Sequence, residues 1–273
     1  MEAKNQIMGI SDIKIAIRGG GDLASGVAWR LHQCGFKVFL TEIEQPLAVR
    51  RKVAFCEAIY DGRAAVEGVE AVLAKSPDEI SGVWEKGFIP ILVDPDCESR
   101  HAVKPRVLVD GIIAKKNLGT TMEHAPLVIA LGPGFEAGRD AHFVVETNRG
   151  HNLGRLLATG MAEPDTGIPG PVQGITTDRV IRAPADGRLE TRVEIGDTVE
   201  KGDKLGSVSG KPVLATIDGV LRGLIRSGIR VGKGLKIGDI DPRGNRDNCF
   251  TMSEKALAIA GGVLEGILRT YGR

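Results

Sequence analysis

A glycine-rich turn near the start of the chain carries the clearest chemical pattern. Gly19-Gly20-Gly21-Asp22-Leu23-Ala24 fits G-x-G-x-x-A and lies between a predicted strand and a predicted helix. In such a turn the glycines allow a tight bend and close approach of the backbone to a pyrophosphate, and the alanine allows tight helix–strand packing. The free amides of the helix N-terminus then face the phosphates. Asp22 is electrostatically unfavourable there, and a plain structural turn can also use glycines.

An acidic residue follows at the spacing expected for a nucleotide site. Glu42 ends the second predicted strand, at a position after the glycine turn where a carboxylate can accept hydrogen bonds from a ribose. Glu44 is the near alternative. The pattern predicts a small nucleotide-like ligand. NAD(P), S-adenosylmethionine and a molybdopterin-type nucleotide all carry groups that this turn could serve, and the residues leave the choice open.

A second set of polar residues and glycines follows the later predicted strands. Lysine and arginine beside glycine turns suit a phosphate or another oxyanion. Because the carboxyl ends of parallel strands meet at one edge of a sheet, we expect one pocket shared with the glycine turn. Taken singly, each residue could equally belong to a solvated loop. The set comprises Asp110, Lys115, Lys116, Asn117, Thr120, Gly132, Gly134, Glu146, Arg149 and His151.

Catalytic chemistry is not marked clearly. Glu146 and His151 could act as acid and base, but no nucleophile accompanies them. The five histidines and four cysteines show no spacing typical of metal ligands.

The elements that must position these residues alternate between strand and helix. A strand at Ile13–Arg18, a helix at Leu23–Cys34 and a strand at Lys37–Thr41 form a βαβ unit, which favours a parallel sheet. Ser76 predicts the start of a further helix. We therefore predict a Rossmann-like domain over residues 1–174. The further predicted strands are Val69–Ala74, Ile89–Val93, Arg106–Asp110, Leu127–Leu131 and Phe143–Glu146.

The next part of the chain contains an internal repeat. Asp186–Val208 aligns without gaps with Asp218–Ile240, and the identical positions are mostly turn glycines and apolar residues. Two such halves can interlock as a small β-sandwich over residues 175–242, which resembles the biotinyl/lipoyl-like barrel-sandwich hybrid. Carriers of that type modify a hairpin lysine. Lys211 lacks the usual flanking residues and precedes Pro212, so we expect a structural or interaction module without an adduct.

Residues 243–273 form the last predicted segment. Met252–Tyr271 has a helical apolar stripe, and Ser253 can cap it. We expect this helix to pack back onto the first domain. The predicted fold class is thus α/β: a Rossmann-like parallel sheet, a small all-β barrel-sandwich hybrid, and a C-terminal helix.

Composition limits the classes of function. The chain of 273 residues carries 36 basic and 35 acidic residues, a net charge of +1, which favours neither nucleic acid nor an anionic membrane. No apolar run is long enough to span a bilayer, and the N-terminus, expected to be a short disordered lead-in, lacks the apolar core of a signal peptide. We therefore expect a cytoplasmic protein with reduced thiols. Burial in the core is the default for its cysteines, with Cys97 left open: Cys34, Cys56, Cys97 and Cys249.

Five stretches together resemble one protein family. They are IRGGGDLASGVAWRL, VDGIIAKKNLGTT, LGPGFEAGRDAHFVVETNRGHNLGR, TGIPG and KIGDIDPR. The chain resembles the accessory proteins of selenium-dependent molybdenum hydroxylases over nearly its whole length. The resemblance implies a role in maturing such an enzyme, with that enzyme as partner and a molybdopterin-type ligand. An NAD(P)-dependent oxidoreductase and a non-catalytic scaffold are the alternatives. The resemblance implies no catalytic residue.

Overall fold

A computed structural model describes residues 9–272 of the chain, so the predicted N-terminal lead-in lies outside the described residues. The fold is mixed α/β, with one large sheet, three smaller sheets and a C-terminal helix. The helices are α1 (Asp22–Gln33), α2 (Ala58–Asp61), α3 (Ile80–Glu85), α4 (Arg100–Val103) and α5 (Glu254–Tyr271). The strands are β1 (Lys14–Arg18), β2 (Lys37–Glu42), β3 (Arg63–Val66), β4 (Val69–Leu73), β5 (Ile89–Val93), β6 (Val107–Asp110), β7 (Leu127–Leu131), β8 (Glu136–Ala137), β9 (Phe143–Val145), β10 (Leu156–Leu157), β11 (Gly160–Met161), β12 (Val180–Arg182), β13 (Gly187–Thr191), β14 (Thr198–Val199), β15 (Lys204–Val208), β16 (Lys211–Leu214), β17 (Gly219–Leu224), β18 (Arg230–Val231) and β19 (Lys236–Asp241).

The large sheet has nine strands in the order β10-β9-β7-β6-β1-β2-β5-β4-β3. All neighbours from β4 to β9 in this order pair in parallel, and the two edge strands, β3 and β10, pair antiparallel. Ile17 of β1 lies opposite Leu40 of β2 on one side and Val109 of β6 on the other. The strand order therefore reverses at β1, and such a reversal opens a crevice at the carboxyl edge of a sheet.

The apolar runs of the central strands fit a sheet buried on both faces. Ile15 and Ile17 enter the hydrophobic cluster on one face, whereas Ala16 enters the cluster on the other. Parallel strands covered on both sides need such continuous apolar runs. On the first face α1 packs closely on α5, because Gly26 has no side chain: a Cβ there would lie 2.8 Å from the Cβ of Ala256. The first turn of α5 therefore lies against the second turn of α1.

The sequence repeat is also a structural repeat. Strands β13, β14 and β15 of the first half recur as β17, β18 and β19, and each pair begins at aligned positions of the repeat, such as Gly187 and Gly219. The halves exchange strands, because β14 pairs with β17 and β18 pairs with β13. They also share one hydrophobic cluster, which contains Leu189 of the first half together with Leu221 and Ile237 of the second. Neither half has a separate core.

Several details differ from the sequence-based expectations. The antiparallel edge strands β3 and β10 were not predicted, because edge strands lack the continuous apolar run of the buried ones. Ser76 precedes a 3₁₀ turn before α3 begins at Ile80. Cys34 is exposed, unlike the other three cysteines. Lys211 pairs with Val208 inside a strand, so it lies beyond the Ser209-Gly210 turn of its hairpin.

None of the helices within residues 9–272 is both long enough and apolar enough to cross a bilayer.

Candidate functional site

The glycine turn presents an open stretch of backbone at the carboxyl end of β1. Gly19 has φ +103°, and a Cβ there would lie 3.1 Å from the carbonyl group of Gly111, so only glycine fits without strain. Among residues 9–272, no atom lies within 4 Å of a Cβ added at Gly21, and no side chain caps α1. Ala24 is fully buried and lies directly against Gly111. A ligand can therefore approach the first amides of α1 at Gly21.

Glu42 is engaged within the turn itself. Its Oε2 accepts a hydrogen bond from the Gly20 amide at 2.8 Å, and its Oε1 accepts one from the Ile43 amide at 2.8 Å. Burial raises the pKa of this carboxyl group, and the two amides oppose that change. Glu42 thus anchors the turn and is not free to hold a ribose. Glu44, the alternative, is exposed.

The charge of Asp22 is compensated by an arginine from the loop after β2. Arg50 Nη1 lies 3.2 Å from Asp22 Oδ2, and the Arg50 side chain is almost fully buried. Its Nη2 also donates to the carbonyl oxygens of Asn248 and Thr251, at 3.0 and 2.9 Å. The negative charge expected to disfavour an anion is therefore neutralised within the protein.

Arg222 of β17 lies beside Arg50, at the carbonyl oxygen of Asn248. Its side chain is only 9% exposed, and among the described residues it makes one hydrogen bond, from Nε to the carbonyl oxygen of Asn248 at 3.4 Å. The nearest carboxylates, Asp239 and Asp241, lie 3.8 and 3.9 Å away, beyond hydrogen-bond distance. Burial, followed by the neighbouring Arg50, lowers the pKa of this guanidinium.

Two lysines add to the positive charge. Lys255 is the second residue of α5 and, within residues 9–272, has no ion-pair partner. Burial, then Arg149, lowers the pKa of Lys255, while Asp22 acts in the opposite direction. Burial also lowers the pKa of Lys236, whose ammonium lies 3.6 Å from Asp239. A cation in the first turn of a helix opposes the helix dipole, so Lys255 is not placed there for stability.

These groups form one cluster where the carboxyl edge of the large sheet, the first turns of α1 and α5, and strands β17 and β19 meet. Its buried aspartates have close partners: Asp239 pairs with Arg179, and Asp241 lies 2.7 Å from Arg243. Within the described residues no carboxylate comes within hydrogen-bond distance of Arg222 and none forms an ion pair with Lys255, so the arrangement suits an oxyanion supplied from outside. We call the group the junction cluster: Asp22, Arg50, Arg149, Arg179, Arg222, Lys236, Asp239, Asp241, Arg243, Glu254 and Lys255.

Part of the second predicted set holds the loop after β6 in place. Thr120 Oγ1 donates to Asp110 Oδ2 at 2.6 Å and accepts from Arg18 Nη1 at 3.1 Å, all three side chains being buried. Burial raises the pKa of Asp110, and the hydrogen bond from Thr120 opposes the shift. The side chain of Asn117 closes the loop on Thr120, with a 2.8 Å bond to its carbonyl oxygen. Asp110, Asn117 and Thr120 are therefore structural.

Three further members of the set shape the backbone. A Cβ on Gly132 would lie 2.4 Å from Thr147 Oγ1, and one on Gly134 would lie 2.5 Å from the Cα of Lys116. Glu146 is buried and accepts hydrogen bonds from two backbone amides, those of residues 148 and 163, both at 2.7 Å. This carboxylate is therefore occupied within the fold.

The charged members of the set divide in two. Arg149 pairs with Glu254 at the start of α5 and so reaches the junction cluster, and Lys115 lies 2.7 Å from Asp165. Lys116 and His151 are exposed and, in the described part of the chain, form no ion pair. His151 therefore has no visible link to Glu146 as an acid–base partner.

Sequence reasoning missed Arg50, Arg222, Lys236 and Lys255. One signal was available for Arg222, which stands where the first half of the repeat has Glu190, a reversal of charge within the repeated pattern. The other three carry no spacing signal, because tertiary packing alone brings them together. Among residues 9–272, no group of three or more histidine, cysteine, aspartate or glutamate side chains could hold a metal ion.

Comparison with known proteins gives a relative of undetermined role. No protein-family model matches the chain. The uncharacterized protein YqeB of Escherichia coli (strain K12) is 50% identical over 254 residues, which cover 93% of this chain and 47% of that protein. The chain thus spans about half the length of the curated relative it matches.

Similar solved structures include three described as aspartoacylase-related or as ectoine utilization proteins. A succinylglutamate desuccinylase/aspartoacylase from Rhodobacter sphaeroides has 25% identity, covers 23% of this chain and 22% of its own, and gives a TM-score of 0.20. An aspartoacylase family protein from Mesorhizobium loti has 13% identity, 74% and 83% coverage, and a TM-score of 0.25. The product-bound ectoine utilization protein EutE (DoeB) from Ruegeria pomeroyi has 14% identity, 83% and 56% coverage, and a TM-score of 0.23. TM-scores this low support no inference about the activity of this chain.

These findings correct the family assignment made from the sequence. None of the proteins named above is described as an accessory protein of a selenium-dependent molybdenum hydroxylase or as an NAD(P)-dependent oxidoreductase. The assignment to the accessory family, and the maturation function that it implied, are therefore wrong. The motifs behind it have local structural explanations, such as the Asn117 loop closure and the glycine contacts at positions 132 and 134.

Proposed function

We propose that this chain binds a small molecule through an oxyanion, a phosphate or a carboxylate, at the junction cluster. The observation that carries the proposal is Arg222. Its guanidinium is nine-tenths buried beside a second arginine, and its two nearest carboxylates among the described residues lie 3.8 and 3.9 Å away, so none takes up its hydrogen bonds and an outside oxyanion could accept them. The ligand supplies that oxyanion.

The surroundings favour an anion in the same way. The open backbone at Gly21 leads to the uncapped amides of α1, and Lys255 lies at the neighbouring start of α5. Helix N-termini attract negative charge, and buried arginine and lysine strengthen that field. The junction cluster therefore combines helix N-termini and side-chain cations in one place.

In this proposal each part of the chain has a role. Residues 1–174 act as a Rossmann-like ligand-binding layer whose carboxyl edge faces the ligand. Residues 175–242, a barrel-sandwich hybrid, contribute Arg222 and Lys236, and residues 243–273 contribute Lys255. The barrel-sandwich part then acts as one wall of a binding site.

Calorimetric titration with inorganic phosphate and with sulfate tests the proposal. We expect both ions to bind the full chain, and Arg222→Gln to weaken binding by about 10–100-fold, the scale of about 1.5–3 kcal/mol for a hydrogen bond to a charged group. Arg192→Gln is the matched control, because Arg192 is an exposed arginine of the repeat that lies outside the junction cluster. Binding that is absent, or equally strong in both variants, would contradict the proposal.

We expect the Arg222→Gln variant to fold, so its affinity can be compared with that of the unmodified chain. After removal of Arg222, Asp239 keeps Arg179 and Lys236, and Asp241 keeps Arg243. Circular dichroism and a urea titration on each variant check this before affinities are compared.

A further inference from the structure

The loop after β6, residues 111–119, forms a second cationic surface beside the junction cluster. Ile113 and Lys115 adopt left-handed backbone conformations, with φ of 59° and 63°. A β-branched residue rarely takes positive φ, and such strain persists only where the surroundings enforce it. Here the enforcing contacts are those of Thr120 at the base of the loop and of Gly134 beneath Lys116. These contacts fix the conformation of the loop, in which Lys115 and Lys116 are exposed.

Residues 165–170 connect the loop to the junction cluster. Asp165 lies 2.7 Å from the ammonium of Lys115, which is the main cause of its lowered pKa. At the other end of this segment, Arg179 Nη2 donates a hydrogen bond to the carbonyl oxygen of Gly170 at 3.2 Å, and Gly170 lies against the side chain of Arg149. One short segment therefore contacts Lys115 at its first residue and two arginines of the junction cluster at its last.

Two exposed carboxylates of the protein form ion pairs with cations of this region. Asp165 is 38% exposed and holds Lys115, and Glu254 is 69% exposed and holds Arg149. Exposed ion pairs contribute little to stability, so a ligand can displace these carboxylates at small cost. Asp165 marks the place where one oxyanion of a ligand would lie, and release of Glu254 would add Arg149 to the positive charge of the junction cluster.

We infer that the ligand carries two oxyanion groups, one bound by Arg222 and Lys255 and the other by Lys115 in place of Asp165. The inference rests on the proposed function and names the chemical class of ligand: a compound with two phosphates, two carboxylates or one of each. One oxyanion would leave Lys115 with its internal partner. Two would neutralise both cationic surfaces, with Asp165 released to solvent.

Calorimetry with a graded series of probes tests this inference. The probes are inorganic phosphate, pyrophosphate and tripolyphosphate, with acetate, succinate and citrate as the carboxylate series. We expect at least one probe with several oxyanions to bind about tenfold more tightly than its single-oxyanion counterpart. Lys115→Met should abolish this difference in affinity and leave the affinity for phosphate unchanged. Asp165→Asn should make the difference in affinity larger.

Lys233→Met serves as the control, because Lys233 is an exposed lysine outside both surfaces and reports the effect of lost charge alone. Two results would overturn the inference and leave the proposed function standing, provided that phosphate binding depends on Arg222. The first is equal affinity for probes with one and with several oxyanions. The second is a higher affinity for the longer probes that persists in Lys115→Met. Failure of every probe to bind would overturn both. The preferred series distinguishes phosphate from carboxylate ligands.

Discussion

Arg50 and Arg222 direct their guanidinium groups at one carbonyl oxygen, that of Asn248, at 3.0 and 3.4 Å. Arg50 belongs to the loop after β2, whereas Arg222 belongs to β17, so the contact joins two distant parts of the sequence. Both side chains are more than nine-tenths buried. Two like charges in a buried site raise the free energy of the empty protein, and binding of an anion would lower it.

Replacement of Lys255 by methionine should separate stability from binding. Lys255 is half-buried and opposes the dipole of α5, so Lys255→Met should raise the free energy of unfolding by about 0.5–1 kcal/mol. The same change should weaken sulfate binding by about tenfold, since one cation of the site is lost. Urea denaturation and calorimetry measure the two effects. A loss of stability together with unchanged affinity would show that Lys255 has a structural role only.

Replacement of Gly21 by valine should affect the ligand more than the fold. Gly21 has φ −69°, and an added Cβ meets no atom within 4 Å, so the free energy of unfolding should fall by at most about 1 kcal/mol. The branched side chain would obstruct approach to the first amides of α1 and should weaken sulfate binding at least about tenfold. Gly82→Val is the control, because Gly82 is equally open but lies in α3. Equal affinity in the two variants would remove the turn from the site.

Removal of the hydroxyl group of Thr120 should destabilise the loop after β6. Thr120→Val leaves Asp110 Oδ2 without its donor and Arg18 without one acceptor in a buried place, at a cost of about 1–3 kcal/mol. Thr198→Val, at an exposed strand position, should stay within about 0.5 kcal/mol of the unmodified chain. Urea denaturation of both variants provides the comparison. Equal stability would mean that the Arg18–Asp110–Thr120 network does not hold the loop.

Affinity for sulfate should fall as the pH rises from about 7 to about 10, below the ordinary lysine pKa near 10.4. Lys255 and Lys236 both have pKa values lowered mainly by burial, so they lose their charge before exposed lysines do. In that range the unfolded chain binds more protons than the folded chain, and the free energy of unfolding without sulfate should therefore rise with pH. The charge of sulfate does not change there, which isolates the protein groups. Affinity independent of pH would contradict a role for both lysines.

Much of the large sheet was predictable because its strands are continuous apolar runs between polar or glycine residues. Ile89–Val93 and Leu127–Leu131 have the predicted bounds, and α1 begins at Asp22, immediately before the predicted start. The repeat also predicted equivalent strands in its two halves, since glycines that the halves share, such as Gly206 in β15, are required by packing: a Cβ there would lie against the carbonyl oxygen of Glu190. Periodicity and glycine placement are local signals, and they were sufficient for these strands but not for the edge strands β3 and β10.

The site was less predictable, for a physical reason. Residues that follow parallel strands lie at one edge of a sheet, but sequence cannot tell whether a carboxylate such as Glu42 faces a ligand or a backbone amide. Buried cations such as Arg222 and Lys255 come together only through the packing of α5 on α1 and of β17 on the loop after β2. The family resemblance failed because its motifs largely describe backbone geometry, which proteins of different function can share.

Location of a bound anion in a crystal tests the central claim most directly. Selenate matches sulfate in charge and shape, and its selenium atom gives an anomalous signal that identifies its position without interpretation of weak density. We expect a selenate between Arg222 and Lys255, within hydrogen-bond distance of Arg222 and of the first amides of α1, and its loss from Arg222→Gln crystals grown in the same way. Selenate bound only elsewhere on the surface, or an unchanged peak in the variant, would contradict the assignment of the junction cluster as an anion-binding site.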